Sequence, residues 1–273
     1  MHTRHPDDVL TPMADADYRE IKALNWSRLK LMGDSPKLYH YRGRHARPDT
    51  SSMALGRAFH AAVLEPDHYA THWKVYTGKV RRGKAWEKFC ADHSGHEIIT
   101  EEEAKKVELM ATAVKAHPEA AALLTMEGVN EHCAFWDERG RRMKSKIDRV
   151  CWTGEHRFVV DVKTCRSVDP DDFAKAADSY GYAGQMDHYT TGVEILTHTA
   201  PHQYFTPLIL AVENAEPFDV GVFRISSEVR DMAARYRSRL IDRLEQSERE
   251  DDWPGRVPTA VDLTVPRWSK LRS

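Results

Sequence analysis

Cysteines and long apolar runs are both scarce in this sequence. Its four cysteines are spread singly along 273 residues, without the paired spacing of zinc ribbons or iron–sulfur sites. No stretch approaches the roughly 20 apolar residues of a membrane-spanning helix. The N-terminus also lacks the basic and apolar halves of a signal peptide. These absences argue against a disulfide scaffold and a membrane-spanning protein, and they predict a cytoplasmic location.

An excess of charge of one sign is missing too. Lys and Arg number 40 against 42 Asp and Glu, a formal net charge of -2, so the overall field favours neither nucleic acid nor membrane. Any site for a polyanion must therefore come from local clusters. What the sequence does contain is an ordinary globular composition, with 41% hydrophobic and 30% charged residues. At this length that is enough for one large domain or two small ones.

The pattern along the chain predicts three parts. Residues 1–20 are acidic and non-periodic, which predicts a flexible N-terminal arm. Residues 21–250 are predicted to form a single domain, and residues 251–273 a C-terminal tail. Near the start of the domain, Ser27 and Ser35 are predicted to cap two short helices, since a hydroxyl there can accept a hydrogen bond from the first helical turn.

Helical and strand-like segments alternate in the rest of the domain. Helices are predicted over 52–64, 84–93, 101–116, 170–198 with a break near Gly181, and 227–247. Strands with period-two patterns are predicted as three segments within 130–165, with turns near 138–140 and 153–155, and then over 203–213 and 218–225. This order predicts the α/β class with a mixed sheet.

Two carboxylates are predicted to face each other in the second hairpin of the 130–165 region. If the chain turns at Gly154-Glu155, Asp148 pairs with Asp161, and their Cβ atoms lie about 4.5–5.5 Å apart. Two carboxylates in apolar strands repel each other, and desolvation adds to the cost unless a cation lies between them. The pairing therefore predicts a site for a hard divalent cation.

Ammonium groups are predicted on the same surface. Lys163 shares a face with Asp161, while Lys144, Lys146 and Asp148 share a face of the partner strand, because side chains alternate along a strand. Two carboxylates and three ammonium groups suit a metal ion, an attacking water and a phosphate. Asp161, Val162 and Lys163 form a D-x-K triplet. Taken alone, this triplet could also be the exposed, salt-bridged end of a hairpin.

Two helical motifs accompany the hairpin. Gly56 and His60 lie four residues apart on one face of an apolar helix. Because glycine has no side chain, another backbone could approach the helix closely at Gly56, beside the His60 imidazole. Gln185 and Tyr189 share one face of a later helix. Taken alone, His60 is more typical of a core histidine, and the Gln185 and Tyr189 pair is more typical of packing with a polar tip.

Together, these elements resemble the PD-(D/E)xK nuclease superfamily in its RecB-like branch, with G-x-x-x-H, a lone Asp, D-x-K and Q-x-x-x-Y in that order. The segments SSMALGRAFHAAVLEP, KSKIDRV, VVDVKT and YGYAGQMDHY resemble the nuclease domains of the RecE (exonuclease VIII) kind and their phage-borne relatives. The resemblance covers roughly residues 25–225. It implies a central mixed sheet flanked by helices, in a protein of a bacterial or phage-infected cell.

The resemblance also implies an activity. It implies an Mg²⁺-dependent exodeoxyribonuclease, with Mn²⁺ as a substitute, that digests double-stranded DNA from an end, 5′ to 3′, and leaves a 3′ single strand for recombination. It further implies a ring-shaped homo-oligomer, a trimer or tetramer, and a single-strand annealing partner of the RecT kind.

The resemblance assigns roles to individual residues. The groups expected to hold the metal are His60, Asp148, Asp161 and the Val162 carbonyl. Lys163 would orient or deprotonate the attacking water, and Gln185 and Tyr189 would position the site. Ile147 replaces the proline of the superfamily motif. The basic residues expected to bind DNA are Arg141, Arg142, Lys144, Lys146, Arg81 and Arg82.

Two other functions fit parts of the pattern. One is a DNA-end-binding module that keeps the nuclease fold without cleaving, although binding alone would not require carboxylates facing a phosphate. The other is a single-strand nuclease of the CRISPR-adaptation type, which usually carries a cysteine-ligated cluster. The scattered cysteines argue against it.

Overall fold

The computed structural model describes residues 4–45, 50–78, 80–199 and 204–265. Residues 1–3 of the predicted arm and 266–273 of the predicted tail lie outside the described residues. Among the described helices, none is long and apolar enough to cross a membrane.

The first half of the chain is mainly helical. A 3-10 helix at Pro6–Asp8 is followed by α1 (Asp15–Glu20), α2 (Trp26–Leu29), α3 (Leu31–Asp34), α4 (Pro36–Arg44), α5 (Ser51–Leu64), α6 (Pro66–His72), α7 (Lys84–Asp92), α8 (Glu101–Ala116) and α9 (Pro118–Thr125). The apolar helix predicted to end before Glu65-Pro66 does end there. A new helix starts at Pro66, because the fixed φ of proline suits the first helical position.

Local capping follows the sequence with one correction. Ser35 accepts a hydrogen bond from the Leu38 amide at 3.1 Å, which confirms the predicted cap of α4. The predicted cap at Ser27 is wrong. Asn25 caps α2 instead, since its side-chain oxygen accepts from the Arg28 amide at 3.0 Å, and the Ser27 hydroxyl donates to the same oxygen.

In the described part of the chain, the central sheet has six strands in the order β1-β4-β5-β6-β7-β8. These strands are β1 (Thr11–Pro12), β4 (Glu127–Glu138), β5 (Arg141–Thr153), β6 (His156–Cys165), β7 (Thr206–Glu213) and β8 (Val220–Arg224). Strands β6 and β7 are parallel, while the other neighbours are antiparallel. The predicted α/β fold with a central mixed sheet flanked by helices is confirmed.

Three later helices complete the fold: α10 (Pro170–Tyr180), α11 (Tyr182–Thr197) and α12 (Ser227–Glu250). Gly181 separates α10 from α11 in a left-handed conformation, φ 73°, which glycine adopts without strain. Gly184 lets α11 approach the Trp26 ring, because a Cβ there would lie 2.1 Å from a ring carbon. The helix break predicted in this segment is confirmed at Gly181.

The two faces of the sheet carry separate apolar cores. Val160 and Val162 of β6 lie in the core formed with α5 and α8. Val159 of the same strand lies in the core formed with α2, α11 and α12. This alternation leaves Asp161 fully buried in the sheet, with 0% of its surface exposed.

Short elements between the main ones were missed from the sequence. A parallel pair, β2 (Trp73–Tyr76) and β3 (Glu97–Thr100), forms a second sheet. Each strand has four residues, too few for a period-two pattern to stand out. In the predicted N-terminal arm, Thr11 and Pro12 pair with β4. The mobility of that arm stays a prediction.

Candidate active site

The β5–β6 hairpin has the register predicted from its turn. Arg149 pairs with Val160 and Val150 with Val159, so one further step brings Asp148 to the level of Asp161. The Asp148 carboxylate reaches across to β6, where Oδ2 accepts a hydrogen bond from the Val162 amide at 2.7 Å. Three predicted site residues therefore lie together at one point of the sheet.

Asp161 is contacted by polar side chains from its own strand and from α11. The Lys163 ammonium lies 2.5 Å from Asp161 Oδ2. From α11, Gln185 Nε2 donates to Asp161 Oδ1 at 3.2 Å and to the Tyr189 hydroxyl at 2.8 Å. The Q-x-x-x-Y motif thus reaches the D-x-K motif, and Gln185 fixes the orientation of the buried carboxylate.

His60 reaches the same point from α5. Its Nδ1 lies 3.5 Å from Asp148 Oδ2. Burial, helped by the Lys163 charge, lowers the pKa of His60 to about 4, so the ring is neutral and keeps a lone pair for a metal. A Cβ added at Gly56 would meet no described atom of another element within 4 Å, so no described backbone makes the close approach that Gly56 would allow, and that approach stays a prediction.

Glu131 of β4 joins the cluster and was missed from the sequence. One ligand atom each from His60, Glu131 and Asp148 lie within 4.8 Å of one another. The available signal was weak, because Glu131 is one of four acids in β4, with Glu127, Asp137 and Glu138. It could point to the site only once the register of β4 against β5 was known.

The carboxylates of the cluster are short of positive charge. Burial raises the pKa of Asp161 to about 6, with the Asp148 charge adding to the effect. Burial and the charge of Asp148 raise the pKa of Glu131 to about 8. Burial also raises the pKa of Asp148. Burial lowers the pKa of Lys163, but the neighbouring Asp161 and Asp148 outweigh it and the net shift is upward.

This donor set fits a hard divalent cation. Carboxylate oxygens and a neutral imidazole are suitable ligands, and a bound cation would supply the charge that the buried carboxylates lack. The structure brings His60, Glu131 and Asp148 together as a possible ligand set, while Asp161 and the Val162 carbonyl stay predicted ligands.

Two of the predicted DNA-binding lysines contact the N-terminal segment. Lys144 Nζ donates to the carbonyls of Tyr18 at 2.6 Å and Ile21 at 2.7 Å. Lys146 forms ion pairs with Asp15 of α1 and with Glu131, the latter at 3.2 Å. Both ammonium groups already have partners in the structure, and their contact with DNA stays a prediction.

The predicted DNA-binding arginines differ in their partners. Arg141 forms an ion pair with Glu248, Arg142 pairs with Asp137 at 2.9 Å, and Arg81 pairs with Glu103. Arg82 is exposed, and no ion pair involves it among the described residues. The structure does not bring the four arginines into the carboxylate cluster.

A known protein family matches the sequence of this chain, and a solved structure matches its fold. The pattern of a family described as a PDDEXK-like domain of unknown function (DUF3799) matches residues 26–260. A solved structure from Eubacterium rectale, provisionally described as an exonuclease, has a TM-score of 0.65 at 13% identity, over 94% of this chain and 96% of that chain. At that identity the likeness shows the fold alone.

A second solved structure, that of SSO0001, has a TM-score of 0.30 at 13% identity, over 55% of this chain and 69% of that chain, and carries no argument. No curated protein sequence matches the chain.

Proposed function

The chain belongs to the family of PDDEXK-like domains, and from that premise we propose that it is a metal-dependent exodeoxyribonuclease acting on linear double-stranded DNA. The observation that carries the proposal is the buried Asp161–Lys163 pair at 2.5 Å, placed beside Asp148 and His60. A purely structural ion pair would need neither the second carboxylate nor the imidazole, both of which add desolvation cost.

Each residue has a defined task in this proposal. A divalent cation bound by the carboxylates would lower the pKa of a water and draw charge from a phosphate oxygen. Lys163, held as an ammonium by Asp161, donates a hydrogen bond to the attacking water or to a phosphate oxygen that gains charge. Gln185 keeps Asp161 oriented. One ring nitrogen of the neutral His60 carries a proton, and the lone pair of the other ring nitrogen is available to the cation.

Several finer features rest on the similarity to nuclease domains of the RecE kind. We propose Mg²⁺ as the cation, with Mn²⁺ as a substitute, and digestion from 5′ to 3′ that leaves a 3′ single strand for recombination. We also propose a ring-shaped trimer or tetramer around the DNA and a single-strand annealing partner of the RecT kind. In a closed ring, each subunit would contribute its basic residues to one channel.

One assay tests the activity and its polarity. Linear duplexes labelled at either the 5′ or the 3′ end are incubated with Mg²⁺, Mn²⁺ or EDTA, beside a covalently closed circle of the same sequence. We expect metal-dependent release of nucleotides from the 5′-labelled end and no cleavage of the circle. Cleavage of the circle would show an endonuclease, and early release of the 3′ label would reverse the polarity.

The same assay separates cleavage from binding alone. A protein that binds duplex ends with Mg²⁺ but releases no nucleotide would be an end-binding module with a nuclease fold. Preference for single strands over duplex would favour the single-strand nuclease. The matched control for substitutions at the site is Lys175→Ala. Lys175 forms an exposed ion pair with Asp172 at 2.9 Å on α10, and among the described residues it forms no ion pair with a site residue.

A further inference from the structure

Glu131 has an unusual backbone conformation for a strand residue. Its φ is 55°, in the left-handed region that side chains other than glycine rarely adopt. The ladder between β4 and β5 pairs Asn130 with Arg149 and His132 with Ile147 but omits Glu131. The described residues include four other positive-φ residues that are not glycine, and they lie at turns or helix ends: Arg139, His198, Phe218 and Asp251. Of these five described residues, Glu131 alone lies inside a strand.

This position coincides with a set of side chains on three separate elements that could hold a metal ion. His60 comes from α5, Glu131 from β4 and Asp148 from β5, and their ligand atoms lie within 4.8 Å of one another. The side chains of Glu131 and Asp148 are 17% and 12% exposed. Little water therefore compensates their charge, and strained backbone is typically retained where it serves a site.

Lys146 supplies the cation that Glu131 meets in the structure. Its Nζ lies 3.2 Å from Glu131 Oε2 and also pairs with Asp15 of α1. One ammonium is thus shared between a carboxylate of the candidate metal cluster and a carboxylate of the N-terminal segment. Asp15 is half exposed, at 54%, whereas the Glu131 side chain is mostly buried.

From this arrangement we propose that Glu131 is a further ligand of the divalent cation, and that Lys146 is the counter-ion it exchanges for that cation. With no divalent ion bound, Lys146 bridges Glu131 and Asp15. When the ion binds, Glu131 turns to it and Lys146 pairs with Asp15 alone. The inference rests on the proposed function, because it concerns the same metal site, and it links cation affinity to the N-terminal helix α1.

The first test measures Mn²⁺ binding by calorimetry in the absence of DNA. Glu131→Gln is expected to weaken Mn²⁺ binding on the order of tenfold or more, since ligand and near-ligand changes have effects of that size. The matched control is Glu127→Gln, an exposed acid of the same strand, which is expected to bind as the wild type does. Wild-type affinity in Glu131→Gln would overturn the assignment. If circular dichroism shows that Glu131→Gln is unfolded, Glu131→Asp is used, and unchanged affinity there has the same meaning.

The second test is a double-mutant cycle on Lys146 and Asp15. Lys146→Met is expected to strengthen Mn²⁺ binding, because the competing ammonium is gone. Asp15→Asn is expected to weaken binding in the wild type, because Lys146 then pairs with Glu131 alone. In the Lys146→Met background, Asp15→Asn should have no effect. An equal effect of Asp15→Asn in both backgrounds would show action through space and overturn the exchange.

The readouts keep this inference separate from the proposed activity. Wild-type protein that binds Mn²⁺ with the expected mutant pattern but cleaves no DNA would refute the nuclease and leave the Glu131 assignment standing. Wild-type protein that cleaves DNA while Glu131→Gln keeps full Mn²⁺ affinity would refute the assignment alone. Wild-type protein that binds no Mn²⁺ would refute both.

Discussion

Among the described residues, two of the buried charge clusters are built differently. In the first, Arg237 of α12 donates from Nε to Asp187 at 2.7 Å and from one terminal nitrogen to both oxygens of Glu138, at 2.9 and 2.7 Å. In the second, Asp148 receives one backbone amide and lies 3.5 Å from an imidazole that is neutral. In the first cluster one guanidinium bonds both carboxylates directly, whereas among the described residues no lysine or arginine forms an ion pair with Asp148.

The pKa shifts express part of this contrast, although burial raises the pKa of Asp187 in the first cluster as well. Burial raises the pKa of Glu138, but hydrogen bonds from Arg237 outweigh it and the net shift is downward. The pKa of Glu131 shifts the other way, to about 8, because burial and the Asp148 charge exceed the effect of Lys146. A cluster that only supports the fold minimises repulsion. A cluster that binds a cation retains repulsion until the cation arrives.

The largest expected effect is on cleavage. Lys163→Ala and Asp161→Asn should each reduce metal-dependent cleavage by about 10³-fold or more, since each removes a charged group at the reacting phosphate. Both variants should keep the far-ultraviolet circular dichroism of the wild type. Lys175→Ala, the exposed control, should cleave normally. Near-normal cleavage by Lys163→Ala would contradict the site assignment.

The next effect concerns stability and divides the two clusters. Arg237→Met leaves Asp187 and Glu138 buried without their partner, and we expect it to lower the free energy of unfolding by about 3–5 kcal/mol. Asp161→Asn should lower it little or raise it in EDTA, because it removes a buried charge whose desolvation, together with repulsion from Asp148, raises the pKa of Asp161. Urea unfolding of both variants in EDTA measures the difference. Equal losses would show that the two clusters serve the fold alike.

A smaller effect is expected in the pH dependence of stability. The pKa of Glu131 is raised from its ordinary value of 4.5 to about 8, so the folded state binds the extra proton, and stability falls as pH rises through about 8. The lowered pKa of His60 acts in the opposite direction, because the stability it contributes is lost as pH falls below 6.5. Between about pH 6.5 and about pH 8.5 in EDTA, wild-type stability should fall more than that of Glu131→Gln. Parallel curves would contradict the shift at Glu131.

The sequence predicted the part of the site that depends on local geometry. A turn at Gly154 and the alternation of Val160, Asp161 and Val162 were sufficient to align Asp148 with the D-x-K motif. The same period-two rule correctly predicted the three strands, and the glycine pattern predicted the broken helix at Gly181. These features depend on residues close in the chain, where hydrogen-bond geometry leaves few choices.

What escaped prediction depends on distant contacts. Glu131 enters the cluster through the register of β4 and a left-handed backbone that no sequence pattern marks. Lys144 was expected on a phosphate-facing surface, yet its partners are the carbonyls of Tyr18 and Ile21, 126 and 123 residues away. Backbone acceptors have no sequence signature, so such a contact cannot be predicted from residue types.

The smallest expected effect separates free arginines from paired ones. If a guanidinium neutralises a phosphate, removing it lowers the slope of log affinity against log salt by about 0.9. Arg82 is exposed and no ion pair involves it among the described residues, so Arg82→Gln should lower the slope by about that amount. Arg141 is held by both oxygens of Glu248 and already has its counter-charge, so Arg141→Gln should leave the slope nearly unchanged.

Binding of a catalytically inactive Lys163→Ala protein to duplex DNA, measured from low to physiological salt, gives both slopes. A full loss of slope in Arg141→Gln would mean that DNA displaces Glu248, and that the paired arginines of β5 belong to the DNA-binding surface after all.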